Sequence, residues 1–343
     1  KMSKSLGNSP DLLDLIDNYG ADAVRFGIMI SSPAGNDLLF DEASLEQGKF
    51  FNNKIWNALK LVKSWELRVG SQGSAERNFA IDWFENRLNE IKGLVETQYK
   101  EFRLSEALKT IYSLIWDDFC SWYLEWAKPG FEQPIEKVVY EKTVYFFEEL
   151  MQLLHPFMPF VTEEIYHQIK ERADGDDLCI KQHSNIQNPK PEILIQGSLL
   201  KEVITSLRDA RNKNQLKLKD TINLHILTNT RQTYIPIESI LLKQVNATSM
   251  TFTDTPVANS ITVVVQKDKF FIETTATLDT TSQKEQLQKD LDYLKGFLQS
   301  VEKKLSNEKF VNNAKPEIIE TERKKKADAE SKIKAIEESL ASL

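Results

Sequence analysis

The sequence has 343 residues, of which 41% are hydrophobic and 28% are charged. These values are ordinary for a globular protein of two or three domains, and no apolar stretch reaches the roughly 18 residues of a membrane span. The formal net charge of −7 argues against a protein that is basic over its whole surface. Any nucleic-acid contact must therefore use local basic patches.

Only two cysteines occur, Cys120 and Cys179. Neither belongs to a C-x-x-C pair, so we predict that the chain has no metal site. Their spacing leaves a disulfide open, but two buried free thiols in a cytosolic protein are favoured. His155 lies in an apolar segment, where we expect a hydrogen-bonded turn or core histidine rather than a ligand or base.

The chain opens, over residues 1–40, with a loop rich in glycine, serine and proline, followed by two short helices. Ser9 is predicted to cap the first helix and Pro10 to occupy its first position, where the missing N–H costs little. Gly20 is a natural stop. The second helix is predicted over Ala21–Ile30.

Residues 41–180 are predicted to form a helical bundle, because apolar residues recur there at intervals of three and four. After a first amphipathic helix, we expect helices over 78–101, 104–128 and 134–169. Prolines at 156 and 159 should interrupt the last of these. The sequence from 173 to 196 is polar and is a plausible boundary.

Residues 190–278 are predicted to form a small α/β domain. A helix is expected at 198–214 and a short one at 236–244. β-like runs follow the pattern of alternating or branched residues at 221–228, 249–253, 261–267 and 269–275. The last two runs flank Lys267–Lys269, which we predict to be a hairpin turn.

Residues 281–343 carry two heptad-spaced helices separated by a break at Ser306, Asn307 and Pro316. Such a pair predicts an antiparallel coiled-coil hairpin, and with it a mainly α fold for the whole chain. The seam residues are Leu287, Leu291, Leu294, Leu298, Val301 and Leu305 on the first helix, and Ile333, Ile336, Leu340 and Leu343 on the second.

The opening pentapeptide, Lys1-Met2-Ser3-Lys4-Ser5, has the composition of a mobile phosphate-binding loop. Two ammonium groups on such a loop can settle on phosphate groups as negative charge grows on them. The serine hydroxyls add hydrogen-bond donors. The alternative is a solvated basic loop.

This pentapeptide, followed by Leu6-Gly7-Asn8, resembles the second signature motif of the class I aminoacyl-tRNA synthetases. The resemblance implies that Lys4 is the main catalytic and ATP contact, that Lys1 is its partner, and that Ser3 and Ser5 assist. It further implies ATP as substrate, accompanied by Mg²⁺. No other tightly bound cofactor is expected.

Later segments resemble members of one subgroup. Tyr19–Phe26 and Leu154–Glu164 look like segments shared by the valyl, isoleucyl, leucyl and methionyl enzymes. Ser31–Asp41 and Phe119–Glu125, with Lys128 just after, look specifically valyl. The segment Phe310–Glu317 is similar to the tip of the valyl C-terminal arm, although many relatives have proline where Lys315 stands.

The resemblance implies attachment of valine to tRNA(Val) in two ATP-dependent steps through valyl-adenylate. It also implies that the chain is a piece of a cytoplasmic, monomeric enzyme, inactive without the upstream catalytic and editing domains. The alternatives are an isoleucyl enzyme, a tRNA-binding module without catalysis, and a coiled-coil interaction protein unrelated to translation. The paired signatures disfavour the last of these.

Two sets of residues are candidates for tRNA contact by this resemblance. The first, on the first bundle helix, would face the anticodon: Lys49, Asn53, Lys54, Asn57 and Lys60, beside Trp56. The second, on the hairpin, would face the tRNA elbow: Lys303, Lys304, Arg323, Lys324, Lys325 and Lys326. The alternatives are a core tryptophan with solvated lysines, and an ordinary charged coiled-coil surface. Consecutive positions fan around a helix, so the four from Arg323 to Lys326 cannot all face one ligand.

Overall fold

The computed structural model describes residues 10–32, 35, 40–70, 78–130, 132–217, 219–274, 280–307, 310 and 316–342. The chain divides into two compact units, Lys1–Ile195 and Gln196–Leu343. Within the described residues, no helix combines the length and the apolar character needed to cross a membrane.

The first unit is built from helices. They are α1 Leu12–Tyr19, α2 Ala21–Ile30, α3 Glu42–Glu66, α4 Phe79–Lys100, α5 Leu104–Ser113, α6 Leu124–Ala127, α7 Lys137–Leu154 and α8 Pro159–Ile169. A π-helical stretch, Leu114–Tyr123, connects α5 to α6, and a 3₁₀ turn, Leu178–Ile180, follows α8. The helix over 104–128 is thus continuous as predicted, but its middle turns are wider than those of an α-helix. Apolar spacing does not predict that difference.

The ends of these helices follow local chemistry. The Asn78 side chain accepts hydrogen bonds from the N–H groups of Ala80 and Ile81, and so caps α4. The prediction of Ser9 and Pro10 at the start of α1 was wrong. Asp11 is the N-cap, its carboxylate accepting from Leu13 N–H at 2.9 Å, and Pro10 precedes the helix.

Aromatic rings fill the core of this unit. Phe84 packs against Phe119, Tyr123 and Phe146 at ring-centroid distances of 5.3, 4.9 and 5.1 Å. All four are fully buried, so burial drives the association of α4, the π-helical stretch and α7. Segments that were singled out for resemblance are therefore also core.

The second unit contains a mixed sheet and two long helices. The strands are β1 Ile222–Leu227, β2 Ala247–Phe252, β3 Ile261–Val265 and β4 Asp268–Glu273, in the order β2-β1-β4-β3. β1 pairs in parallel with β2 and antiparallel with β4, which also pairs antiparallel with β3. Around the sheet lie α9 Pro191–Lys213, α10 Arg231–Tyr234, a 3₁₀ turn Ile235–Ile237 and α11 Glu238–Val245.

Three boundaries in this region differ from the predictions. The long helix begins at Pro191 rather than at 198, because proline suits the first helical position. The short helix begins earlier as well, through α10 and the 3₁₀ turn. The β3–β4 turn is Gln266–Lys267, one residue before the predicted turn, and Gln266 adopts a positive φ of 53°.

Arg211 is buried on α9 and joins three carbonyl groups of the surrounding loops. Its guanidinium donates to Val245 O, Lys217 O and Asp220 O at 2.6, 2.6 and 2.7 Å. Burial lowers the pKa of Arg211. One buried cation thus supplies hydrogen bonds to three backbone carbonyl oxygens.

The helices α12 Thr280–Leu305 and α13 Pro316–Ser342 form an antiparallel hairpin. Leu291, Ile333 and Ile336 form its buried core, with Leu287, Leu294, Leu298 and Leu340 packed against them. The predicted seam is confirmed for these residues. Pro316, which was assigned to the break between the helices, is instead the first residue of α13. Leu343 lies outside the described residues.

Candidate functional site

The phosphate-binding loop predicted from Lys1, Ser3, Lys4 and Ser5 lies outside the described residues. Its roles therefore stay predictions. The segment that follows it is described from Pro10 onward.

Two residues of α2 bind the break between α7 and α8. The Asp22 carboxylate accepts from Phe160 N–H at 3.2 Å and from Val161 N–H at 2.6 Å, and so caps α8. The Arg25 guanidinium donates to Phe157 O at 3.1 Å and to Pro156 O at 3.0 Å. We call these four hydrogen bonds the α2 clamp.

The clamp joins two segments that lie far apart in the sequence, Tyr19–Phe26 and Leu154–Glu164. Burial is the main influence on the pKa of Asp22 and raises it, while the bonds from Val161 and Phe160 and the charge of Arg25 oppose the increase. The only sign of the clamp in the sequence was an acid, Asp22, placed one helical turn before an arginine, Arg25. The helix termini that they contact are about 130 residues away, so their partners were not predictable locally.

The five candidates on α3 do not share one environment. Asn53, Asn57 and Lys60 are exposed, and their spacing of four and three places them on one stripe of the helix. Lys49 is exposed as well, but its Nζ donates to Asn18 O at 3.2 Å. Lys54 is half-buried, with Nζ 5.1 Å from the ring centroid of Trp116.

Trp56, which was considered beside these candidates, is half-buried on the same helix. Lys54 instead contacts the aromatic core, where Phe51 lies 4.8 Å from Tyr112 and Tyr112 stacks on Trp116 at 5.6 Å. The Lys54 ammonium therefore stabilises the packing of α3, and it is less available to a phosphate than Lys60 is.

The candidates on the hairpin also divide by environment. Lys304 and Lys325 both pair with Glu322, at 3.7 and 2.8 Å. Lys326 instead pairs with Glu302 at 2.9 Å and with Glu330 at 3.7 Å. Neighbouring lysines on α13 thus contact different glutamates, as fanning around a helix requires.

Lys303, Arg323 and Lys324 are exposed, and within the described part of the chain they have no carboxylate within ion-pair distance. If Leu291 and Ile333 are assigned to heptad position a, Lys303 and Lys324 both fall at position f, farthest from the partner helix. The f positions of two paired helices point in opposite directions. Lys303 and Lys324 therefore belong to opposite sides of the hairpin.

Both cysteines are free thiols. Burial raises the pKa of Cys120 to about 12, so this thiol is unreactive at neutral pH. Cys179 is exposed, and the prediction that it is buried was wrong. It lies in the 3₁₀ turn after α8.

A group of potential metal ligands lies beside that turn: Glu163, His167 and Asp177. The prediction that there is no metal site was based on cysteine spacing and did not consider these residues. His155, as predicted, is a hydrogen-bonded turn histidine, with Nδ1 2.8 Å from Thr162 Oγ1.

Three models of known protein families match successive segments of this chain. A model of the class I tRNA synthetases for isoleucine, leucine, methionine and valine matches residues 1–41. A model of the anticodon-binding domain of tRNA ligases matches residues 82–226. A model of the valyl tRNA synthetase tRNA binding arm matches residues 279–343.

The chain is thus similar to the class I tRNA synthetases, and its last segment is similar to the tRNA binding arm of the valyl enzymes. Over its whole length it is 46% identical to a valine–tRNA ligase of Phocaeicola vulgatus and 42% identical to one of Parabacteroides distasonis, and it covers 39% of each. A valine–tRNA ligase of Enterococcus faecalis is 32% identical, with 40% of its length covered. The chain thus spans about two fifths of the relatives that it matches.

Among solved structures, the Agrobacterium radiobacter LeuRS–tRNA–LeuAMS ternary complex is 15% identical. The superposed region covers 67% of this chain and 24% of the synthetase chain in that complex, with a TM-score of 0.40. The similarity to valine–tRNA ligases therefore rests on the sequence matches. The matched anticodon-binding residues begin within α4, so the candidates on α3 precede them.

Proposed function

We propose that the protein to which this chain belongs attaches valine to tRNA(Val) in two ATP-dependent steps, through valyl-adenylate. The observation that carries this proposal is the similarity to valine–tRNA ligases over all 343 residues. An isoleucyl enzyme, the nearest alternative, is disfavoured by the match of residues 279–343 to the valyl tRNA-binding arm. A cytoplasmic location and a monomeric state are part of the same proposal.

The chemical contribution proposed for this chain is the loop Lys1–Ser5. Lys4, assisted by Lys1, would neutralise the charge that grows on pyrophosphate as the valine carboxylate attacks the α-phosphate of ATP. Ser3 and Ser5 would donate hydrogen bonds to the same phosphates, and Mg²⁺ would accompany ATP. The proposal rests on the similarity to class I tRNA synthetases and on the chemistry of these side chains.

The larger contribution proposed is tRNA binding. Two of the three matched models describe anticodon binding and a tRNA-binding arm. The exposed stripe Asn53–Asn57–Lys60 and the exposed cations Lys303, Arg323 and Lys324 are the described groups best able to reach phosphates. Such contacts release counterions, so affinity should fall steeply with salt.

Filter binding of the 343-residue chain to tRNA(Val) and tRNA(Ile) transcripts tests this function. We expect tighter binding of tRNA(Val) and a linear fall of log affinity with log salt concentration. A preference for tRNA(Ile) would favour the isoleucyl alternative. Absence of binding even at low salt would reject the tRNA-binding role.

ATP–pyrophosphate exchange separates the enzyme from a binding module. We expect valine-dependent exchange from a protein that joins this chain to the upstream catalytic region of a relative, and loss of most of that exchange in Lys4→Ala. The 343-residue chain alone should neither activate valine nor edit. Exchange at the full rate by the chain alone would show that the proposed division of labour is wrong.

A further inference from the structure

Three side chains of different chemistry converge where α8 meets the following 3₁₀ turn. Glu163 and His167 lie one turn apart on α8, and Asp177 directly precedes Leu178. His167 Nε2 is 3.3 Å from Glu163 Oε1 and 3.2 Å from Asp177 Oδ1. The three ligand atoms all lie within 4.8 Å of one another.

The separations of His167 Nε2 from the two carboxylate oxygens, 3.3 and 3.2 Å, are close to those between neighbouring ligands of one metal ion. Zinc binds nitrogen and carboxylate oxygen at about 2.0–2.2 Å in tetrahedral geometry, which separates neighbouring ligand atoms by about 3.4 Å. A single Nε2–H, by contrast, can be directed well at only one of two carboxylates. A cation between the three atoms would contact all of them at once.

The carboxylate of Glu163 is already oriented. Leu178 N–H donates to Glu163 Oε1 at 2.6 Å, and Cys179 N–H lies 3.3 Å from Oε2. Hydrogen bonds of this kind fix the direction of metal ligands, and each carboxylate oxygen keeps a lone pair for an ion. The side chain of His167 is 39% exposed, so an ion can enter from solvent.

We propose that Glu163, His167 and Asp177 form a site for one divalent transition-metal ion of the Zn²⁺ class, with water in the fourth position. The ion joins α8 to the segment before Leu178 and thereby stabilises the end of the first unit. Its ligand set contains no cysteine, so the absence of a C-x-x-C pair does not bear on it.

Titration of the 343-residue chain with Zn²⁺ by calorimetry, and with Co²⁺ by visible absorption, tests the site. We expect one equivalent of Zn²⁺ and the intense visible bands of four-coordinate Co²⁺. His167→Gln and Asp177→Asn should each weaken binding at least tenfold. His183→Gln, the same change at an exposed histidine outside the cluster, should change affinity less than twofold.

Absence of Zn²⁺ binding at neutral pH would overturn the proposal. Equal binding by all four proteins would also overturn it, because the ion would then be on other surface groups. Circular dichroism verifies that each variant is folded. If His167→Gln does not fold, the comparison of Asp177→Asn with His183→Gln decides.

Hydrogen exchange provides a second readout that does not depend on affinity. In the unsubstituted chain, Zn²⁺ should slow exchange of the Leu178 and Cys179 amides, because both bind the ligand Glu163. The same addition should have no effect in Asp177→Asn. Unchanged exchange in the unsubstituted chain would contradict the proposed link between α8 and the turn.

Discussion

The carboxylate of Asp22 accepts a hydrogen bond from the backbone N–H of Val161 over 2.6 Å, although 139 residues separate the two in sequence. Together with Arg25, Asp22 fixes α2, the second helix after the proposed phosphate-binding loop, to the turn between α7 and α8. The N–H groups at the start of a helix have no partner within it, so a carboxylate there replaces water. The α2 clamp thus connects the segment after the proposed ATP loop to the helical bundle.

We expect Asp22→Ala to lower the free energy of unfolding by about 1–2 kcal/mol, as loss of a helix cap does. Asp22→Asn should cost less, because its amide oxygen still accepts one of the two N–H groups. Urea unfolding of the chain measures both values. Equal stability of Asp22→Ala and the unsubstituted chain would show that water replaces the carboxylate at no cost.

The difference in unfolding free energy between the unsubstituted chain and Asp22→Asn should depend on pH in a definite direction. Burial raises the pKa of Asp22 in the folded state, so the folded chain holds its proton more tightly than the unfolded chain does. The stability gained in this way is fully present below the unfolded pKa and is lost as pH rises through the folded pKa. The stability advantage over Asp22→Asn should therefore be larger near pH 4 than at pH 7; the reverse trend would contradict the direction of the shift.

A buried ion pair gives a second prediction. Lys92 Nζ lies 2.6 Å from Glu149 Oε2 and also donates to Ser184 Oγ at 2.6 Å. Both charged side chains are about 95% buried. Lys92→Met should destabilise the chain by about 3–5 kcal/mol, because it leaves a buried carboxylate without its cation.

The double variant Lys92→Met, Glu149→Leu should recover most of that loss, since replacing a whole buried pair by apolar residues is often neutral. Denaturant unfolding of both single variants and of the double variant supplies the thermodynamic cycle. If the losses simply add, Lys92 and Glu149 do not interact as a pair.

On α3, we expect Lys54→Met and Lys60→Met to affect different properties. Lys54 lies over the Trp116 ring, so its replacement should lower the unfolding free energy by about 0.5–1 kcal/mol and leave tRNA affinity nearly unchanged. Lys60 is exposed, and its replacement should weaken tRNA(Val) binding and reduce the salt slope by about one. Urea unfolding and filter binding of both variants make the comparison. A larger affinity loss in Lys54→Met would reverse the assignment.

On the hairpin, Lys303 and Lys324 are predicted to behave differently from each other. Because they point to opposite sides, one flat tRNA surface can meet only one of them. Only one of Lys303→Ala and Lys324→Ala should reduce the salt slope of tRNA(Val) binding by about one. Lys326→Ala is the matched control, since that ammonium is already paired with Glu302 and Glu330. A reduced slope in both f-position variants would require tRNA to wrap around the hairpin.

The parts of this fold that were predictable are those that local chemistry determines. Asn78 and Gly20 act on the few residues beside them, and the heptad spacing of the last helices reflects a seam between neighbours in sequence. What was not predictable depends on distant partners. Asp22 has the same local sequence whether or not Phe160 approaches it, and the burial of Arg211 depends on loops that close only in the folded chain.

The candidate sites follow the same division. Sequence placed Lys54 and Lys60 on one helix but could not distinguish them, because the Trp116 ring that holds Lys54 comes from a different segment. Asp177 comes close to Glu163 and His167 through an irregular turn with no recognisable pattern. Only folding brings it near them.

Glu322 is buried at a seam position of the hairpin, where it meets Lys304 of the opposite helix and Lys325 of its own. A slip of the two helices by one heptad would preserve the contacts of leucine with isoleucine, but it would separate this carboxylate from Lys304. Glu322 therefore favours one register of α12 against α13. Through that alignment it fixes which charged side chains of α12 lie beside which charged side chains of α13, and so the pattern of charge along the hairpin.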